Sequence, residues 1–314
     1  MTLERRAMEY LTAAIRYQAN PVVRVEAVEA LESNGCNEGL PWIRAALLDD
    51  HPAVRFAACV AVGRCADPVA LGSIRKCVDD QDASVQVAAL FALHYLGQTR
   101  QTGRIPTYLL NHEDATVRRN AALILGLLEE PSAVKVLARA MRDRDAGVRQ
   151  HALEAMARFG NREAKQELVF MTNTGIGSEE VFAIGALAET GDPVYVETFR
   201  YKLSTATHLE TRLAAARGLG RLGSDEGFET ALRALRTRKP LIEDPNDPPA
   251  GQILRVRQMA AAALGVIGRA EALPALAELM EDPDDPRVQV SAARAILEIL
   301  AADRERALPF GATE

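Results

Sequence analysis

A ten-residue pattern, V-R-x-x-A-x-x-A-L-G, clearest at Val117-Arg118-Arg119-Asn120-Ala121-Ala122-Leu123-Ile124-Leu125-Gly126, can be laid over the chain nine times. It opens at Val23, Val54, Val85, Val117, Val148, Glu179, Thr211, Val256 and Val288, in steps of 31, 31, 32, 31, 31, 32, 45 and 32 residues. A near-constant period of this length is the signature of a solenoid, in which each unit buries its apolar face only by stacking on its neighbours.

The unit is a pair of helices. With the opening residue as position zero, position four is alanine in every copy (Ala27, Ala58, Ala89, Ala121, Ala152, Ala183, Ala215, Ala260, Ala292), and position eight is always apolar. Positions zero, four, seven, eight and eleven share one side of a helix, so the stripe has helical and not strand period. A small residue at position four lets a neighbouring backbone come close. A second amphipathic segment precedes each copy, as in Ala133-Val134-Lys135-Val136-Leu137-Ala138-Arg139-Ala140-Met141, set off by a turn with glycine or proline.

These features resemble HEAT repeats: the V-R-x-x-A-x-x-A-L-G helix, the aspartate-rich turn before it, and partner helices that start Gly191-Asp192-Pro193 or Glu271-Ala272-Leu273-Pro274. The similarity is greatest to the short bacterial type first described in phycobilisome bilin lyases, and it covers about residues 3–301. It implies an all-α superhelix of about nine two-helix repeats, and residues 1–314 are read as a single such domain. It says less about activity, because one fold hosts many functions.

Composition is ordinary for a folded chain, with 48% hydrophobic and 25% charged residues. A net charge of −6 argues against a nonspecific binder of nucleic acid or anionic membrane, with a local basic face left open. No run of about 18 apolar residues exists to span a bilayer. The first residues read as an amphipathic helix and not a signal peptide, so a cytoplasmic location is expected, a leader removed before residue 1 being left open.

Asn20-Pro21, His51-Pro52 and Asp285-Pro286 pair a capping residue with a proline in the first helical turn, and Asp82, Asp114 and Asp145 occupy the same capping slot. Position one is arginine in six copies: Arg24, Arg55, Arg118, Arg149, Arg212 and Arg257. Resemblance to HEAT proteins implies that these pair with turn aspartates of adjacent repeats as a structural ladder; the other reading is an anion-binding row. Repeat six breaks the pattern with Glu179-Glu180 after Thr172-Asn173-Thr174-Gly175-Ile176-Gly177-Ser178, a turn of flexible residues. The long step holds Lys239-Pro240-Leu241-Ile242-Glu243-Asp244-Pro245-Asn246-Asp247-Pro248-Pro249-Ala250-Gly251, whose four prolines predict a mobile, non-helical insertion, either a binding loop or a tolerated one. Leu308-Pro309-Phe310-Gly311 should end the last helix.

No catalytic constellation is found, and no metal or cofactor site is read from the residues. Cys36, Cys59, Cys65 and Cys77 lack C-x-x-C spacing, and three lie in apolar slots, so buried free thiols are expected over a disulfide or metal site. HEAT-like deoxyhypusine hydroxylases hold iron with His-Glu pairs on helices, whereas His112-Glu113 here falls in a turn; HEAT-like DNA glycosylases need a basic cleft with aromatics, whereas this chain is acidic with one Trp, Trp42.

Positions two and six of the repeated helix point away from the stripe, toward the side expected to be concave. In repeats two to four they carry Phe56, Val60, Val87, Phe91 and Leu123, a strip either exposed for a partner or buried between repeats by superhelical curvature. The expected function is a noncatalytic scaffold or adaptor, a monomer that binds protein partners with this strip. Its runner-up, implied by the resemblance, is a bilin-lyase-like factor holding a tetrapyrrole and a client protein.

Overall fold

Capping residues start the second helix of most repeats. In a computed structural model, which describes every residue except 35, 37, 176, 240–245, 284 and 308–314, the side chains of Asn20, His51, Asp82, Asp114 and Asp145 each accept a hydrogen bond from a backbone amide in the turn they open. Each satisfies a donor that helix geometry leaves without a partner. Nine helix pairs follow in chain order: α1 (Leu3–Ala14) and α2 (Pro21–Ser33), α3 (Leu40–Ala46) and α4 (Pro52–Arg64), α5 (Leu71–Cys77) and α6 (Ala83–Tyr95), α7 (Ile105–Asn111) and α8 (Ala115–Leu128), α9 (Val134–Ala140) and α10 (Ala146–Arg158), α11 (Arg162–Thr174) and α12 (Ser178–Glu189), α13 (Val196–Thr205) and α14 (Leu209–Arg221), α15 (Phe228–Ala234) and α16 (Pro249–Ile267), α17 (Leu273–Met280) and α18 (Pro286–Ala307). No strand occurs among the described residues. The fold class is all-α solenoid, as the repeat predicts.

The helices group into two compact units, one of residues 15–168 and one of residues 1–14 with 169–314; the division falls inside α11. In the first unit α2, α4, α6, α8 and α10 pack in series, and α3, α5, α7 and α9 each lie against the second helix that follows. In the other, α12, α14, α16 and α18 form the series, α13, α15 and α17 lie beside it, and α1 packs on α18.

The repeat dictates the core. All nine position-four alanines are fully buried, as are the apolar residues of position eight. Every opening residue is buried except Glu179, which is exposed, so the stripe of α12 starts only at Ala183. Glycine at position nine brings second helices still closer: a Cβ on Gly63 would stand 2.9 Å from the Phe91 ring and from Ala92 Cα, and one on Gly126 2.7 Å from Ala155 Cβ.

Three expectations require correction. Thr172, Asn173 and Thr174 are not in a turn but complete α11, with Thr172 buried and its hydroxyl bonded to the Val169 carbonyl at 2.8 Å. The insertion yields to helix at Pro249, because proline is tolerated in a first turn, where its missing N–H would have no partner. Asp247 pins that end: its carboxylate accepts two hydrogen bonds from Arg255 at 2.8 and 2.5 Å, and its carbonyl one from Gln252. Residues 240–245, and Leu308-Pro309-Phe310-Gly311, lie outside the described residues. The third concerns the cysteines. Cys36 and Cys65 form a disulfide with Cα atoms 5.8 Å apart, because Cys36, in a left-handed turn after α2, lies beside Cys65 at the end of α4. Cys59 and Cys77 are buried free thiols. A hydrogen bond to Cys77, then burial, push the Cys59 thiol well above its ordinary value.

Candidate functional site

Position one of the repeat organises the polar chemistry between neighbouring repeats. Arg24 grips Asp49 through Nε and Nη2 at 2.9 and 2.8 Å, Arg55 grips Asp80 at 2.8 Å through both, and Arg118 grips Asp143 at 2.9 Å through both. Arg257 is ion-paired with Asp282. In each case the acceptor lies 25 residues ahead, and the same guanidinium in Arg24, Arg55 and Arg118 also donates to a carbonyl six residues behind. Arg24, Arg118 and Arg257 are buried. Bidentate geometry of this kind makes the strong form of ion pair. Arg149 and Arg212 keep only the backbone part, bonding to Asp143 O and Ala206 O, because the residue 25 ahead is Thr174 or Thr237.

The remaining three copies substitute other chemistry at position one. Glu180 reverses the polarity, accepting from Lys202 at 2.6 Å and Thr211 at 2.9 Å. Gln86 and Gln289 each accept a tyrosine hydroxyl at 2.6 Å, from Tyr108 and Tyr10. The guanidiniums of Arg24, Arg55 and Arg118 are held through Nε and both Nη groups, and Arg257 is held by Asp282 through Nη2 although its Nε has no hydrogen-bond partner.

The predicted apolar strip is only partly open. Val87 and Phe91 are core residues, 0% and 1% exposed, whereas Phe56, Val60 and Leu123 are half-buried. Gly63 is the physical reason: its missing side chain makes the notch that the Phe91 ring fills, and Tyr95 covers the ring with centroids 4.9 Å apart.

The unit that holds residues 169–314 carries a recess at positions two and six of its own repeats, which the strip did not include. Between α12, α14 and α16 lies a space of about 110 Å³, floored by Ala188 and Leu213 and rimmed by Val181, Gly185, Met259 and Ala262. Four of these occupy positions two and six of repeats six to eight. Arg217, at position six of repeat seven, lines it as well. Its Nε is shut off from solvent and has no hydrogen-bond partner. Burial, and then Arg221, lower the pKa of Arg217. In the sequence its mark is an arginine at position six, a slot that repeats six and eight fill with smaller residues, Gly185 and Ala262. A second recess, of about 660 Å³, is lined by Arg75, Arg100 and Arg104 together with Asp79; Arg75 bonds to Gln98 and Arg104 to Gln101. Among the described residues no group of three His, Cys, Asp or Glu could hold a metal ion, and no helix is long and apolar enough to cross a membrane. His112 ends α7 and Glu113 follows it in the turn.

Comparison with known proteins agrees with the repeat. A HEAT_2 sequence profile, described as HEAT repeats, matches residues 8–94, 107–176 and 240–310. A HEAT repeat-containing taxis protein of Halobacterium salinarum is 31% identical over 150 residues, 47% of this chain and 34% of that protein, so the match spans about a third of the relative's length. Among solved structures, human deoxyhypusine hydroxylase in complex with glycerol aligns with TM-score 0.40 and 17% identity over 95% of this chain and 97% of that one. The complex of CpcE and CpcF of phycocyanin lyase from Nostoc aligns with TM-score 0.42 and 17% identity over 71% and 91%. With the profile covering more than half of its length, the chain belongs to the HEAT repeat family.

Proposed function

We propose that this protein is a noncatalytic interaction scaffold that receives a protein partner on the second-helix face of α12, α14 and α16. The observation that carries the reading is the recess between those helices, lined mainly by apolar side chains together with the Glu189–Arg221 ion pair and Arg217, whose Nε has no hydrogen-bond partner. Stacked helices present such a face as a continuous surface, and a side chain inserted into a desolvated pocket supplies most of the energy of a protein contact. The half-buried Phe56, Val60 and Leu123 give residues 15–168 a smaller apolar patch of the same kind. Because the Halobacterium relative is a taxis protein, proteins of that class are the first partners to test.

The test is site-specific photocrosslinking in the native host, with benzoylphenylalanine placed at Val181 on the rim or at Val194, an exposed position of the same unit away from the recess. Discrete protein adducts should form at Val181 and not at Val194. Equal labelling at both, or none at Val181, overturns the reading.

A further inference from the structure

Arg217 is anomalous among the charges of its unit. Two acids stand near enough to feel its charge, Glu189 and Glu298, and each is already held by another arginine, Glu189 by Arg221 at 2.7 Å and Glu298 by Arg294 at 2.8 Å. Three cations therefore face two anions, and the odd one is Arg217. Its Nε has no hydrogen-bond partner among the described residues. A guanidinium carries five donors and stays charged at any physiological pH. Burying it without an acceptor costs free energy that a well-packed apolar residue of similar size would not. Arg217 is half-buried and its Nε, shut off from solvent, finds no acceptor in the fold, so the missing acceptor is expected from outside.

The recess restricts what that acceptor can be. About 110 Å³ holds roughly four water-sized groups, enough for a carboxylate on a short aliphatic arm. Val181, Leu213, Met259 and Ala262 offer that arm apolar surface, and the carboxylate of Glu189, which also lines the recess, is neutralised by Arg221. Gly185 keeps the space open, since a Cβ built on it would meet nothing within 4 Å. A planar carboxylate accepts two parallel hydrogen bonds from one guanidinium, whereas phosphate recognition draws on clusters of arginines.

We propose that Arg217 anchors a carboxylate subsite between α12, α14 and α16, occupied by a single acidic side chain of a partner polypeptide whose aliphatic stem lies against Val181, Leu213 and Met259. The inference rests on the interaction-scaffold reading and narrows it to one contact.

Five probes test it by calorimetry on the full chain: butyrate, butyramide, inorganic phosphate, an end-blocked Ala-Leu-Glu-Leu-Ala peptide and its glutamine analogue. Butyrate should bind where butyramide and phosphate do not, and the glutamate peptide should bind at least tenfold more tightly than the glutamine one. Arg217→Met should erase both preferences while melting at or above the parent temperature, since it removes a half-buried guanidinium whose Nε has no partner. Gly185→Leu should fill the recess and block every probe with the fold intact. A lower melting temperature for Arg217→Met marks the arginine as structural and overturns the proposal, as does equal binding of the glutamate and glutamine peptides or of phosphate and butyrate. Protein crosslinks at Val181 that survive both substitutions leave the scaffold standing and remove the subsite. Arg217-dependent butyrate binding without such crosslinks removes the protein partner instead.

Discussion

Tyr10 donates its hydroxyl to Gln289 at 2.6 Å, the same bond that Tyr108 makes to Gln86. Both glutamines hold position one of their repeats, and each reaches with its amide nitrogen to a carbonyl behind it, Gln86 to Asp80 and Gln289 to Met280. Tyr108 belongs to α7, the first helix of the pair after α6. Helix α1 therefore serves α18 as the first helix of a following repeat would, although it is the first helix of the chain. Ion pairs of Arg6 with Glu281 and of Arg304 with Glu4 flank the contact, and Ala7, Leu11 and Ala14 supply its buried side.

Solenoid ends need a cap because the last repeat otherwise leaves its stacking face in water. Deleting residues 1–14 should lower the melting temperature and produce concentration-dependent self-association through the uncovered face of α18, read by light scattering. Tyr10→Phe should cost only about 0.5–1.5 kcal/mol, the range for one hydrogen bond. A truncated chain that stays monomeric and melts like the parent means α1 contributes nothing to α18.

The arginine row predicts unequal costs at equivalent positions. Arg118 is buried and bidentate to the half-buried Asp143, so Arg118→Ala removes two charge-assisted hydrogen bonds and should cost about 1.5–3 kcal/mol. Arg149 bonds only to the carbonyls of Asp143 and Arg144 in an exposed setting, so Arg149→Ala should cost about 1 kcal/mol or less. Denaturant midpoints that shift equally for the two variants contradict the role of the acid 25 residues ahead.

The same pairs set an acid limit. Asp143 is held below the usual carboxylate range chiefly by its hydrogen bond from Arg118; at Asp49 and Asp80 burial opposes ionisation, and the hydrogen bonds from Arg24 and Arg55 together with backbone amides outweigh it. A folded pKa below the unfolded value of about 3.9 gives stability that is complete above that value and lost as pH falls through the folded one. Melting temperature should hold from pH 7 to 5 and fall below about pH 4. Asp143→Asn should show a shallower acid limb, and parallel curves for variant and parent would exclude the pair as a cause.

Much of this architecture is legible in the chain because a fixed period writes one packing problem nine times: the alanines, the caps and the arginine slots all fall at constant offsets. What could not be read is what depends on pairs of turns or on distant helices. The Cys36–Cys65 bond joins turns 29 residues apart, off the period, and Tyr10 meets Gln289 from the opposite end of the sequence. Helix angles fail to show which of positions two and six is open, because that depends on the neighbour: a glycine at 63 buries Phe91, whereas a glycine at 185 opens the space beside Arg217.

Phe91 tests that last distinction directly. Its ring is 1% exposed and sits in the Gly63 notch beneath Tyr95, so it contributes to the stacking of α6 on α4 and not to a free surface. Phe91→Ala should remove that ring, leave a cavity, and cost about 3–5 kcal/mol. Gly63→Val should destabilise as well, by pushing a branched side chain into the space the ring holds, with a cost of about 1–3 kcal/mol. If notch and ring act as one unit, the two changes combined should cost less than the sum of the single changes, because the lost ring vacates room for the valine. Differential scanning calorimetry of the four chains measures this. Strict additivity, or a Phe91→Ala variant that melts with the parent, would return Phe91 to the surface and restore the wider strip of Phe56, Val60, Val87, Phe91 and Leu123 as a partner site.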